Sequence, residues 1–369
     1  MRSSFRIGLA VAVAGFIVAG VVTANARSER EKQEVERISG RMKTVCVGRF
    51  LIDMPEGIQI GWGQARIDGF DVSAFDETAG EFQKRIADRE AEVRAKPDWR
   101  GGDKNLESAT DVKTDSGLVG RIFIHSRTVE EGTRGNGLGG VERYRYEGIS
   151  TEALVHGRGI SIDLFSEGRD IEWIEDLPKL VNQLVPNPDN RIPSEPGFCI
   201  DRAYVRDLLS ADQREQIMMF ARLPHHPDIE FMFIVSAGLK PEKDGVLARN
   251  ELADSRLSLV ERMRITRLRA APRNIGGLVG EELVELVVEE NETRGHSFWW
   301  ELSGTEDNVF VPHVVFRMST GNGDRKPVPS SLSNGAALGL WDKISSSIRI
   351  RPIDHSQRGT SMPASVVAR

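Results

Sequence analysis

Cysteine is scarce in this sequence: Cys46 and Cys199 are the only two among 369 residues. That rules out a small disulfide-defined scaffold, and it leaves no CxxC pair for a thiol redox centre or a zinc site. The local frames that position a nucleophile, a phosphate or a catalytic metal are missing too. There is no GxSxG elbow, no GxxxxGK[ST] loop and no HExxH helix. A basic excess is also lacking. Lys and Arg number 49 against 55 Asp and Glu, a formal charge of −6, so the chain offers no cationic face of the kind that grips nucleic-acid phosphates. Beyond residue 22 no long apolar run remains.

The single long apolar run lies at the start, from Ile7 to Val22, behind Arg2 and Arg6 and ahead of Ala24-Asn25-Ala26. A basic end, an apolar stretch and a small-x-small site have the form of an export signal cleaved after Ala26. The alternative is an uncleaved anchor, because the run with its flanks approaches the ~20 residues that span hydrocarbon. Residues 7–23 would then be the only contact with the inner membrane. No cysteine directly follows the run, which argues against a lipoprotein. Either route places the remainder of the chain beyond the cytoplasm.

What the rest of the sequence does contain is itself twice. Ser116-Gly117-Leu118-Val119-Gly120 recurs as Gly276-Gly277-Leu278-Val279-Gly280, an offset of 277 minus 117, or 160. Phe50-Leu51-Ile52-Asp53 is echoed by Phe198-Cys199-Ile200-Asp201, an offset of 148. Strand-like alternation runs through 57–75, 142–165, 228–238 and 297–319, with Pro312 marking an edge or bulge. The segment after the second glycine motif, EELVELVVEE, reads as a strand, although Leu283, Leu286 and Val287 also permit a helix. Helical periodicity covers Ala79 to Ala95 and Leu247 to Met263, the latter with Leu252, Leu259 and Met263 on one face. It returns at 171–184, with Ile174, Leu177, Val181 and Leu184 as the stripe, and at 336–348, with Leu338, Trp341 and Ile344.

This order predicts an α+β fold of two similarly built domains, each a mainly antiparallel sheet with helices packed on one face. The expected limits are 1–26 for the signal or anchor, 27–42 for a charged, solvated helical tether and 43–188 for the first domain. A linker at 189–196 follows, in a stretch holding Pro186, Pro188, Pro193 and Pro196, then a second domain at 197–352 and a disordered tail at 353–369. Cys46 and Cys199 fall in different halves and read as two small buried hydrophobes, with an interdomain disulfide left open. The recurring Asp53 and Asp201 suggest a shared structural hydrogen bond.

Chemistry-bearing residues point away from catalysis. Gly135-Asn136-Gly137-Leu138-Gly139-Gly140 satisfies GxGxxG, yet a strand-like VERYRYEG follows it where a dinucleotide site needs a helix. A glycine-rich hairpin loop fits better. His225 and His226 are adjacent on an extended segment, point to opposite sides and make a poor metal pair. Ser330, Ser331 and Ser333 stand where a helix needs capping. No metal and no cofactor are expected. Among the aromatic residues, Trp62, Trp299 and Trp300 are candidate anchors for a partner, and of the adjacent pair one should face the core and the other should not.

Taken together, KTVCVGRFLIDMPEG, GFCIDRAYV, GGLVGEELVE, HSFWWEL and VPSSLSNGAALGLWDKISSSIRIRP resemble the type VI secretion immunity proteins that neutralise Tle4-type phospholipase effectors, the Tli4 family. The resemblance covers about residues 43–352. It implies a non-enzymatic periplasmic protein whose two α+β domains clasp a lipase effector and keep its active site from lipid. The partner-facing residues are then expected on loops at the cleft between the domains: Arg134 and Asn136 in 132–140, His225 and His226 in 222–228, Asp307 in 303–308, and Asn322, Asp324 and Arg325 in 320–328, with Trp62 and Trp299 beside them. The competing classes are a non-catalytic envelope scaffold or lipid-binding module, marked by an apolar cavity, and an enzyme with an unrecognised site, marked by a pocket with convergent His, acid and hydroxyl groups.

Overall fold

A computed structural model describes residues 25–352 except 138, 207–213, 307 and 310. The apolar run at 7–22 and the tail at 353–369 lie outside the described residues, as does Asp307. Among the described residues no helix is long and apolar enough to cross a membrane.

The described residues open with helix α1 (residues 25–39). The first half then runs β1 (Met42–Val47), β2 (Phe50–Pro55), β3 (Gln59–Trp62), β4 (Ala65–Ile67), β5 (Phe70–Asp76), α2 (Ala79–Ala95), β6 (Leu106–Lys113), β7 (Val119–Gly135), β8 (Val141–Gly157), β9 (Ile160–Asp170), α3 (Asp176–Gln183) and β10 (Leu184–Pro186). The second half follows the same plan, with one long strand in place of β3 and β4 and two short helices in place of α2. It comprises β11 (Gly197–Ile200), β12 (Ala203–Arg206), β13 (Glu215–Leu223), β14 (His226–Ser236), α4 (Val246–Asp254), α5 (Leu259–Met263), β15 (Ile265–Ile275), β16 (Leu278–Val288), β17 (Arg294–Leu302), β18 (His313–Thr320), α6 (Asn334–Ser345) and β19 (Arg349–Ile350).

The half-sheets have the same strand order, β4-β5-β9-β8-β7-β6 and β13-β14-β18-β17-β16-β15. The two glycine-leucine-valine motifs occupy the equivalent β6–β7 and β15–β16 turns, so the duplicated, mainly antiparallel α+β architecture is present. The FLID/FCID echo is out of register, however. Phe50 opens the second strand of its hairpin, whereas Phe198 lies in the first strand of the other. Aligning the hairpins instead superposes Cys46 on Cys199, and their separation of 153 residues is the true offset here. Asp53 and Asp201 are therefore not counterparts. Asp53 takes Arg349 and Thr44 as partners, while Asp201 accepts from Asn190.

The halves are not hinged lobes. Strand β13 pairs on one side with β14 and on the other with β3 and β4, which fuses both half-sheets into one sheet of thirteen strands. The closing strands are exchanged as well: β10 joins the β11–β12 hairpin, and β19 joins β1–β2. At this junction Cys46 and Cys199 form a disulfide with Cα atoms 5.9 Å apart. The reading of two unlinked buried thiols is overturned. Neither strand alone could announce the bond, because it depends on the pairing of distant hairpins. Gly48 beside it exchanges two backbone hydrogen bonds with Cys199, at 3.0 and 2.8 Å. It holds φ +58°, and a Cβ would come within 2.9 Å of the Phe198 ring, so only glycine fits.

One face of the large sheet carries the main core. There α6 inserts Trp341, which stacks on Phe316 at 5.0 Å between ring centroids, with the fully buried Trp300 and Phe298 in the same cluster. The opposite face carries α2, whose Phe82 and Ile86 pack on Phe123 and Leu154 in a separate small cluster. Adjacent Ile122 and Phe123 thus serve opposite faces, as alternation along a strand requires. Thr78 and Glu81 start α2 with a reciprocal capping box.

Two helical expectations change. The single helix over Leu247 to Met263 is broken into α4 and α5, because Ser258 and Glu261 form a second capping box. Its stripe faces solvent: Leu252, Leu259 and Met263 are 57%, 70% and 76% exposed. The tether is helical but docked. Val35 and Ile38 of α1 pack against the core, and Glu31 accepts a hydrogen bond from Ser333 at the start of α6.

Candidate functional site

The outer face of the second half-sheet is where the fold leaves side chains unclaimed. In the first half, α2 lies along β6, β7 and β8, and its Arg85 and Arg89 reach Asp163 and Glu152 on β9 and β8. In the second half α4 and α5 sit further toward the edge, against β16 and β15. A cavity of about 670 Å³ remains over β3, β13, β14, β18 and β17.

Sheet register sets its floor. Phe220 stands opposite Gly61 and Met232, Met232 opposite Arg317, and Arg317 opposite Trp299. These residues form one row across five strands, and the pleat turns all of them outward. The next row, Arg222, Glu230, Ser319 and Ser297, supplies a polar border in which Arg222 and Glu230 are ion-paired. Trp300, one residue along from Trp299, is fully buried on the other face, so the pair divides between the two sides as alternation demands.

At the centre, the Arg317 guanidinium lies 3.3 Å from the centroid of the Trp299 ring. Such stacking favours a cation over the electron-rich face of an indole. The neighbouring carboxylate is already committed. Burial pushes the Glu301 carboxyl up, but bonds from His313 and Arg249 more than offset it and hold it below the usual range. Arg249 places its Nη2 2.7 Å from Glu301. Among the described residues Arg317 has no hydrogen bond and no ion pair, its Nε and the Trp299 Nε1 are buried without an acceptor, and burial lowers the Arg317 pKa. The arrangement is a partly desolvated cation in an apolar hollow, suited to binding an anion and not to moving a proton.

The residues chosen from sequence scatter around this face. Trp299 forms part of the floor. Trp62 pairs with Met219 and packs half-buried against the core, on the other side of the sheet. His225, His226, Asn322, Asp324 and Arg325 gather at one end of the second half, where His226 contacts Ser331, and Asn322 donates through its backbone to Asp228. Residues 303–306 follow β17 at the opposite strand ends. Arg134 and Asn136 lie at the tip of the β7–β8 hairpin, with Arg134 paired to Glu142 and Tyr146. The four loops therefore do not converge on one cleft, because the fused sheet has strand ends where separate lobes would have had facing loops. Arg317 was missed. Its signal is a lone arginine in the otherwise apolar alternation of VVFRM.

Hydroxyl-imidazole contacts exist, one of them closed to solvent beside a carboxylate. Ser161 is fully buried and donates to Glu77 while touching His156. Among the described residues no three His, Cys, Asp or Glu side chains are placed to hold a metal. Buried histidines do set a pH response. His125 and His296 are 4% and 3% exposed, and burial holds both below the ordinary value of 6.5. The unfolded chain takes up protons near 6.5 while the folded one resists. Stability is therefore fully present above that pH and falls as pH drops through it. Burial raises the Asp163 carboxyl, whose contribution has the opposite sign. The melting temperature is expected to fall between pH 7.5 and 5.5, with a shallower slope in a His125→Gln/His296→Gln variant. Equal slopes would remove the histidines from the account.

Comparison with known proteins agrees with this architecture. Residues 43–135 match the model of the Tle cognate immunity protein 4 N-terminal domain, and residues 191–353 match that of its C-terminal domain. No curated protein matches the chain. Among solved structures, immunity protein TplEi of the T6SS from Pseudomonas aeruginosa, complexed with "L" peptide, is 26% identical with a TM-score of 0.63, covering 85% of this chain and 99% of its own. The Tle4-Tli4 complex gives 24% identity, a TM-score of 0.66 and coverage of 85% and 98%, a likeness of fold. Matched in chain order over more than two thirds of its length, the chain belongs to the Tle cognate immunity protein 4 family.

Proposed function

We propose that this chain is a non-enzymatic immunity protein that binds a type VI secreted lipase effector and blocks it outside the cytoplasm. The observation that carries the reading is the match of both halves to the two immunity-domain models in chain order. Two relatives of the same fold are described with a bound partner, one with a peptide and one as a Tle4-Tli4 complex. The effector is held across the two halves. The fused sheet offers a preorganised surface, which lowers the ordering cost of association. Residues 1–26 deliver the chain to the periplasm, either as a cleaved signal or as an anchor.

The test is direct. The protein is purified from a periplasmic extract, its intact mass is compared with that of a chain starting at Arg27, and it is titrated into the lipase encoded beside its own gene. A stable complex and loss of phospholipid hydrolysis at about one equivalent are expected. Full lipase activity with no complex at micromolar protein would reject the reading.

A further inference from the structure

The cavity over the Trp299–Arg317 stack has a chemistry that selects its occupant. Its walls are apolar through Phe220, 44% exposed, and Met232, yet a guanidinium lies in its floor. An aliphatic ligand would cover that charge and leave it unsatisfied, at a cost in desolvation. A cationic one would be repelled. A carboxylate fits, because the guanidinium presents a planar fork of N–H groups to two oxygens. The nearby acids do not supply it, since Glu230 is held by Arg222 and Glu301 by Arg249 and His313.

Resting on the immunity reading above, we propose that this cavity receives an acidic side chain of the effector, an Asp or Glu flanked by apolar residues. Arg317 takes the carboxylate. Trp299, Phe220 and Met232 cover the apolar neighbours. Trp299 positions the guanidinium by stacking and shields it from water, which strengthens the charge-assisted bond. Tryptophan and arginine are among the residue types most enriched in binding hot spots.

The cation is also expected to cost the free protein stability, because it is partly desolvated without a carboxylate. The two effects separate a binding role from a structural one. Arg317→Met should retain or slightly raise the melting temperature while weakening effector binding on the order of 10- to 100-fold. Arg317→Lys should lie between, since an ammonium keeps the charge and loses the fork. In parallel, effector Asp and Glu residues are changed singly to Asn and Gln. One of these should weaken binding to wild type and make no further difference with Arg317→Met. Unchanged affinity in Arg317→Met, or a loss the same for every effector variant, overturns the assignment while leaving the immunity reading intact. Failure of wild type to bind the lipase at all defeats that reading instead.

Discussion

Replacing Glu215 by alanine is expected to destabilise the folded protein by about 3–5 kcal/mol, the usual consequence of removing one partner from a buried ion pair. Arg49 of the first half donates from Nε and Nη2 to the two carboxylate oxygens of Glu215 in the second, at 2.9 and 2.7 Å. The residues are 7% and 3% exposed. Glu215 opens β13, the strand that sews the half-sheets together, so the pair sits where the two repeats meet. Its attraction is largely cancelled by desolvation of both charges. What makes it matter is the asymmetry: alanine strips the guanidinium of the carboxylate that takes two of its N–H groups, in a place water does not reach. The double variant Arg49→Met/Glu215→Leu removes both charges and should lie within about 1–2 kcal/mol of wild type. Denaturant unfolding of the three proteins checks this. A Glu215→Ala variant as stable as wild type, or a double variant worse than either single, would show that the pair does not hold the junction.

Much of the fold was readable because it is local. The glycine turns at Gly117 and Gly277, the alternation of β8, β14 and β18, and the α6 stripe each declare themselves within ten or twenty residues. Even the division of labour between Trp299 and Trp300 follows from the pleat alone. What was not readable depends on pairing across the chain. The FLID and FCID strings are similar as letters and belong to different strands of their hairpins. The correct offset would have aligned the two cysteines. The break between α4 and α5 had a local signal, the Ser258-to-Glu261 capping box, which the periodic stripe of Leu252, Leu259 and Met263 concealed. Arg317 and Trp299 are 18 positions apart and meet only through the β17–β18 register, so no window of sequence presents them as a pair.

Loss of the Cys46–Cys199 disulfide should have an effect of comparable size to the Glu215 change, by a different route. The bond joins residues 153 apart, so it restrains a long stretch of the unfolded chain. Loop-closure entropy alone gives about 5 kcal/mol, and measured losses of native disulfides run at about 2–5 kcal/mol. The native geometry needs no strain to explain the gain, since the two strand ends are already held by the paired backbone bonds of Gly48 and Cys199. Removing the bond thus leaves the folded state nearly unchanged and enlarges the competing ensemble. A Cys46→Ser/Cys199→Ser variant is expected to melt well below wild type, and reductant is expected to lower wild type to nearly the same temperature while leaving the variant unmoved. The bond also bears on compartment. A chain kept in a reducing cytosol would lack this contribution, and one exported to an oxidising space would have it. If wild type treated with reductant alkylates at both thiols and still melts where the oxidised protein does, the disulfide is not what binds the two repeats.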